Sequence, residues 1–264
     1  MNKNKTALIT GATSGIGYEI AHLLAKQGYN LYLVSRNRET LQRIQGDLQK
    51  TYGITVYFFA CDLSLANAGE QVFRRIQQAN IVIDVLVNNA GFGMQGEYTN
   101  ADLSKVHSMI QLNMTTLTDL CYFFGAHMKE KKHGYILNVA STAAFLPLPY
   151  MAVYGASKAY VLSFSESLAK ELEGTGVSVT TLCPGATETE FFNQAGIGSP
   201  STGVFRSGSR MLAKDVAAIG LAALFAKKLF VVTGGKNKVM IFLTRLLPRR
   251  VVASVSKKIM RDVK

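Results

Sequence analysis

Seven short apolar runs, each separated from the next by a segment of helical periodicity, constrain this chain more than any other feature. Most of the runs at 7–10, 31–35, 56–60, 85–87, 135–139, 177–182 and 229–232 are apolar almost throughout instead of alternating with polar residues. A strand reads that way when both of its faces are covered, as in a parallel sheet with helices on either side. Helical patterns fill the intervals at about 15–27, 38–51, 65–78, 103–128, 154–173 and 214–226. Repeated strand–helix alternation leads to right-handed crossovers and a doubly wound parallel α/β sheet. A chain of 264 residues fits one such domain. The reading places it at 1–235, with a Gly/Ser/Thr-rich stretch at 185–210 as a partly apolar lid and 236–264 as a basic, amphipathic C-terminal extension.

Apolar residues at 48% against 17% charged argue for a packed core over disorder. Cys61, Cys121 and Cys183 are widely spaced and in apolar surroundings, which suits reduced, buried thiols and no disulfide framework. His22, His107, His127 and His133 have no ligand spacing, so no metal site is expected. No signal-peptide pattern precedes the first strand, and the expected location is the cytoplasm. The net charge of +12 would suit a nucleic-acid binder if it were spread over the domain. From Lys236 onward, however, nine cations face a single acid, Asp262, so this stretch carries +8 and the body only +4. Nucleic acid is therefore not an expected partner.

The first strand ends in Thr10-Gly11-Ala12-Thr13-Ser14-Gly15-Ile16-Gly17, which opens the first helix. Glycines there allow a tight turn and close backbone approach, and the free N–H groups of the helix start attract a pyrophosphate. Alone, a glycine-rich turn is weak evidence; its position between strand and helix is what gives it weight. It makes a Rossmann-type fold the expectation. The second strand runs into Ser35-Arg36-Asn37-Arg38, where a chain selecting NAD would offer a carboxylate to the adenosine ribose. Guanidinium groups at Arg36 and Arg38 suit a 2′-phosphate instead, so NADP(H) is the expected cofactor. A solvated surface arginine is the plainer alternative. Asp62-Leu63 follows the third strand, where the carboxylate can accept from an adenine amino group. Asn88-Asn89-Ala90-Gly91 follows the fourth and could equally be an ordinary Asn-rich turn.

Together with Asn113, Ser141, Tyr154, Lys158 and Pro184-Gly185 followed by Thr189, these segments resemble the short-chain dehydrogenase/reductases over about residues 5–235, in order and approximate spacing. The wording around Asn89–Gly93 and Tyr150–Tyr154 is most similar to bacterial members of broad or unassigned substrate. The resemblance implies an oxidoreductase that interconverts a carbonyl and an alcohol. It implies that Lys158 holds the nicotinamide ribose and that Ser141 hydrogen-bonds the substrate oxygen. Asn113 would secure a water in a proton relay, Thr187 and Thr189 would meet the nicotinamide carboxamide, and Pro184 and Gly185 would shape the turn beneath it. It also implies a homodimer or homotetramer built on the helices that carry Asn113 and Tyr154.

The chemistry also follows from the residue types. Carbonyl reduction needs a proton donor and polarisation of the oxygen that gains charge. Tyr154 and Lys158, four apart at a helix start, share one face. A free tyrosine titrates near pH 10, and a neighbouring ammonium together with the nicotinamide's positive charge would lower that. Singly, each residue has a plainer reading: helix surface for the Tyr–Lys pair, a cap for Ser141, a satisfied buried amide for Asn113. Phe92, Met94, Phe145, Leu146, Pro147, Leu148, Tyr150, Phe191 and Phe192 are expected around the cleft, which suggests a bulky apolar substrate.

Two other function classes compete. A catalytically inactive dinucleotide sensor on the same fold would have lost Ser141, Tyr154 or Lys158, and all three are present. A membrane-peripheral lipid or acyl reductase would use the tail. There Pro248 should interrupt the helix, and Val251, Val252, Val255, Ile259 and Val263 recur at helical spacing among cations. Such a segment can rest on an anionic membrane or fold back on protein. Either way, Phe242, Leu246 and Ile259 are expected to be buried.

Overall fold

The computed structural model describes residues 5–195 and 210–261. Its elements in chain order are β1 (Thr6–Thr10), α1 (Gly15–Lys26), β2 (Asn30–Ser35), α2 (Arg38–Tyr52), β3 (Val56–Ala60), α3 (Ala68–Gln78), β4 (Val85–Asn88), α4 (Leu103–Ile110), a π-helical turn (Gln111–Thr116), α5 (Leu117–Glu130), β5 (Gly134–Val139), α6 (Ala152–Glu171), β6 (Val177–Cys183), β7 (Thr187–Glu188), α7 (Phe191–Gln194), β8 (Met211–Leu212), α8 (Ala213–Phe225), β9 (Phe230–Val232), α9 (Gly235–Leu246) and α10 (Arg249–Arg261).

Seven strands form one parallel sheet in the order β3-β2-β1-β4-β5-β6-β9, and β7 pairs with β8 in a small separate ladder. Consecutive side chains of β1 feed opposite layers: Leu8 joins Val72 of α3, Leu120 of α5 and Val161 of α6, while Ala7 and Ile9 join Ile20 of α1, Leu41 of α2 and Val216 of α8. All five residues of β1 are buried, which accounts for its unbroken apolar reading. Strand order reverses between β1 and β4, so the loops after these strands diverge and leave a crevice at their C-terminal ends. That crevice positions the site.

The structure departs from the sequence reading at several elements. The helix expected at 103–128 is interrupted at Gln111–Thr116 by a π turn containing Asn113. The helix expected from 65 begins at Ala68, because Asp62 caps Ser64 in a turn and Asn67 adopts φ 59°. At the sheet edge, β3 is half-exposed, with Tyr57 open to solvent, so covering on both faces does not extend there. Cys61, at the end of that strand, is likewise only partly buried. Residues 196–209 of the expected lid lie outside the described residues.

In the tail, Phe242, Leu246 and Ile259 are 60%, 67% and 41% exposed, so the expectation that they are buried fails. The protein covers the opposite face of α9 through Ile241 and a neighbouring stripe of α10, Val252, Ser256 and Met260. The reason is geometric. Val251, Val255 and Ile259 repeat at the same spacing as the buried stripe but one residue earlier, about 100° around the helix.

Candidate active site

Around the first crossover, backbone geometry does most of the work. Gly11 (φ 66°) donates its N–H to the carbonyl of Val34 at 2.8 Å, which ties the turn to β2. Asn89 reaches across from the end of β4, and its side-chain NH2 donates to the carbonyls of Thr10 and Gly11, both at 3.0 Å. The Thr10 hydroxyl accepts from the N–H groups of Asn89 and Ala90. A Cβ on Gly17 would collide with the carbonyl of Gly11 and the amide of Asn89, so the helix must begin with glycine there. Ser14 caps α1 by position without a side-chain hydrogen bond, which leaves the first N–H groups of that helix, including Gly15 and Ile16, open to an anion. Thr13 hydrogen-bonds Ser35 at 3.1 Å, and Thr189 lies against Gly15 from the far side of the crevice.

At the next strand ends, Arg36 and Arg38 are exposed. Arg38 sits 5.6 Å above the Phe58 ring. Asp62 accepts from the N–H and hydroxyl of Ser64 at 2.9 and 2.6 Å. Its carboxyl is held below the usual range despite opposition from burial, by those hydrogen bonds and then by the Arg36 charge. Leu63 is buried, and its carbonyl accepts from Thr116 of the π turn at 2.8 Å.

Ser141, Tyr154 and Lys158 meet beyond the C-terminal end of β5. Ser141 follows that strand, its hydroxyl accepting from the N–H of Ala143 at 3.1 Å. Tyr154 and Lys158 lie in the first two turns of α6, both buried. The Lys158 ammonium donates to the carbonyl of Val139 at 2.9 Å and sits 5.9 Å from the Tyr154 ring centroid. Gly91 adjoins both Lys158 and Asn113, since a Cβ there would lie 3.4 Å from the first and 3.0 Å from the second. Asn113 clamps Phe92 by accepting from its N–H at 3.2 Å and donating to its carbonyl at 3.0 Å, and it donates to Ser157 at 3.1 Å.

Burial raises the Tyr154 phenol to about 12, against a hydrogen bond from Ser141 that works the other way. Burial also lowers the Lys158 ammonium to about 8, opposed by the electrostatic influence of Cys183. The expected lowering of the phenol is therefore not achieved by the chain's own groups, because desolvation outweighs the Ser141 hydrogen bond. A neutral phenol beside a proton-labile lysine can deliver a proton to an oxygen that is gaining charge.

Pro184 and Gly185 follow β6, Thr187 is buried with its hydroxyl donating to the carbonyl of Gly185 at 3.0 Å, and the Thr189 hydroxyl accepts from the N–H of Phe191 at 3.3 Å. Phe92, Met94, Leu148, Tyr150, Phe191 and Phe192 form one apolar cluster with Tyr154 and Met151. Phe191 lies 5.3 Å from the Tyr154 ring. Phe145 does not join them; it turns to Phe230 of β9 and the main core. Next to the cluster is a cavity of about 240 Å³, lined by Met94, Met109 and residues 150–153 together with the polar Gln95, Glu97, Asn100, Asp102 and Lys105.

Two participants were not visible in the sequence. Met260 of α10 is 2% exposed within the cluster around Tyr154. Asn237 of α9 packs so closely on Gly185 that no Cβ would fit between them, and it donates to the carbonyl of Thr233 at 2.7 Å. Neither carried a signal, because both lie beyond the strand–helix pattern and act only through tertiary contact.

The fold and the arrangement of Ser141, Tyr154 and Lys158 beside a glycine-lined crevice define a dinucleotide-type oxidoreductase architecture. The family model for short chain dehydrogenases matches residues 5–198, and the chain belongs to that family. It is 35% identical over 213 residues to a sulfoacetaldehyde reductase of Chromohalobacter salexigens, an alignment covering 79% of this chain and 83% of that one. Other curated relatives are longer, and the chain spans only 33% of the length of some of them. A short-chain dehydrogenase from Sphingobium yanoikuyae in complex with NADPH superposes with TM-score 0.80 at 28% identity, over 92% of this chain and 94% of the other. A 7β-hydroxysteroid dehydrogenase superposes with TM-score 0.85 at 25% identity, over 96% of both chains.

Proposed function

We propose that this chain is an NADP(H)-dependent oxidoreductase that interconverts a carbonyl and an alcohol on a bulky, largely apolar substrate, with Tyr154 as general acid/base. The observation that carries the proposal is the convergence of Ser141, Tyr154 and Lys158 beyond the C-terminal end of β5, next to the apolar cluster. The crevice fits a dinucleotide. Gly11, Gly15 and Gly17 leave no room for a Cβ in the turn, and the uncapped start of α1 offers N–H groups to a pyrophosphate. Gly11, Thr13, Ser14, Gly15, Ile16 and Gly17 would hold the phosphates; Ser35, Arg36 and Arg38 the adenosine ribose; Asp62 and Leu63 the adenine. Asn89, Ala90, Gly91, Pro184, Gly185, Thr187 and Thr189 would frame the nicotinamide end. The cofactor, when bound, exchanges a hydride with the substrate carbon.

The residues of the chain manage the oxygen and its proton. In this reading the Ser141 hydroxyl donates to the substrate oxygen and Tyr154 supplies the proton in reduction or removes it in oxidation. Lys158 holds positive charge beside the phenol and reaches the ribose hydroxyls. Asn113 fixes Phe92 and hence the wall next to Gly91, and its carbonyl retains a second lone pair for a relayed water. The similarity to a hydroxysteroid dehydrogenase supports a bulky substrate, whereas the sulfoacetaldehyde reductase relative points to a small anion. The apolar cluster around Tyr154 favours the former. Initial rates of NADPH oxidation are expected to favour cyclic and aryl ketones over small anionic aldehydes; turnover confined to the latter would overturn the substrate class.

Cofactor preference rests on Arg36. Charge-assisted hydrogen bonds contribute roughly 1.5–3 kcal/mol, so NADPH should bind at least about tenfold more tightly than NADH. Fluorescence titration of Arg36→Ala should bring the two affinities together, and equal affinities in the unaltered chain would refute the assignment. Association is the remaining expectation from the family. Leu103, Ile110 and Tyr122 of the helical stretch around the π turn are 58%, 36% and 72% exposed. Light scattering is expected to give a dimer or tetramer at micromolar concentration, and Tyr122→Glu to weaken it.

A further inference from the structure

We propose that α9 and α10 form a docking face for an anionic lipid bilayer. On α9, Val239, Phe242, Leu243 and Leu246 fall at i, i+3, i+4 and i+7, and all are at least half exposed. The opposite face, with Ile241 buried and Asn237 on Gly185, holds the helix to the domain. The apolar stripe is thus what α9 presents outward, and Leu247 extends it at 48% exposure. Helical spacing puts Lys236 along one edge of this stripe and Lys238 and Arg245 along the other.

Apolar residues between two rows of long cations suit an interface: the apolar groups enter the acyl boundary while the cations rise to the headgroups. On α10, Val251, Val255 and Ile259 form a second exposed stripe, beside the one that is buried. Arg249, Arg250, Lys257 and Lys258 are exposed on that helix. None of these cations of the two helices pairs with a carboxylate among the described residues.

Charge selects the occupant. Residues 235–261 contain no acid, so two copies meeting through this face would bring like charge against like charge. An anionic membrane supplies the opposite sign over the whole patch, at about fivefold in affinity for each cation near the surface. Contact would be in the plane of the interface, since no helix among the described residues is long and apolar enough to cross a bilayer.

The test uses the full chain and sedimentation with vesicles of phosphatidylglycerol in phosphatidylcholine, against phosphatidylcholine alone. We expect at least tenfold greater partition to the anionic vesicles at low ionic strength, decreasing as salt is added. Phe242→Asn/Leu246→Asn and Arg249→Glu/Arg250→Glu should each lower that partition at least tenfold while keeping the unaltered chain's melting temperature and its turnover of a soluble ketone. Failure of the unaltered chain to sediment with anionic vesicles, or equal partition to both compositions, would overturn the proposal. So would an unchanged partition of the Phe242/Leu246 variant. A drop in that variant's solution mass, with no vesicle binding by the unaltered chain, would assign the face to a second copy instead.

Discussion

Replacing Tyr154 by phenylalanine is expected to leave dinucleotide binding intact and to lower turnover by about 10²-fold or more, the range that a positioned acid/base contributes. The substitution removes one oxygen from a ring that Phe191 and the apolar cluster hold in place, so the fold should tolerate it. With its phenol raised to about 12, Tyr154 stays protonated over the whole neutral range, as the proposed donor must. Its loss therefore leaves reduction without an acid while Ser141 can still polarise the oxygen. Steady-state rates and a cofactor titration on the same preparation separate the two effects. Near-native turnover would reassign the acid.

Lys158→Met is expected to be nearly inactive and yet no less stable at neutral pH. Below pH 8 the buried ammonium is charged in both folded and unfolded chains, and its desolvation weighs fully against folding. Between about 8 and 10.5 the folded chain has released a proton that the unfolded chain still binds, so stability rises with pH. That gain approaches about 3 kcal/mol. Methionine removes the penalty at every pH but leaves the Val139 carbonyl without its partner, at about 1–3 kcal/mol, so the two effects nearly cancel near pH 7. The diagnostic is the pH dependence. From pH 7 to 9 the melting temperature of the unaltered chain should climb relative to that of the variant; parallel curves would mean that Lys158 is not a depressed base. Above pH 9 the buried Cys121 and Cys183, both raised to about 12, lower the stability of both chains, which is why the variant and not the absolute melting temperature is the reference.

The strands were readable because burial on both faces leaves little freedom in composition; β1 and β4 have no exposed position to betray polarity. Tyr154, Lys158 and the Gly11–Gly17 turn were readable because their chemistry needs fixed residue types at fixed local spacing. What failed to show depends on the third dimension. The π turn around Asn113 inserts itself within an otherwise continuous helical periodicity, so the apolar pattern from 103 to 128 looks uninterrupted. Phe145 could have faced the cleft or the core, and only the packing of β9 decides. In α10 two apolar stripes lie side by side, and the domain selects the one ending at Met260 over the one ending at Ile259. A sequence shows amphipathic faces, but not which face its neighbours will cover.

The seating of Asn237 under Gly185 and of Met260 among the groups around Tyr154 divides this protein into two kinds of inheritance. Proton transfer and dinucleotide binding are attributed to residues within the span that the family model matches, which closes at residue 198. The two tail contacts come from beyond it. Exchange of the last helices between relatives would therefore redraw the wall that a substrate meets while leaving Ser141, Tyr154 and Lys158 untouched. In such a chain, selectivity can drift at the C-terminus under selection while the reaction stays fixed at the centre.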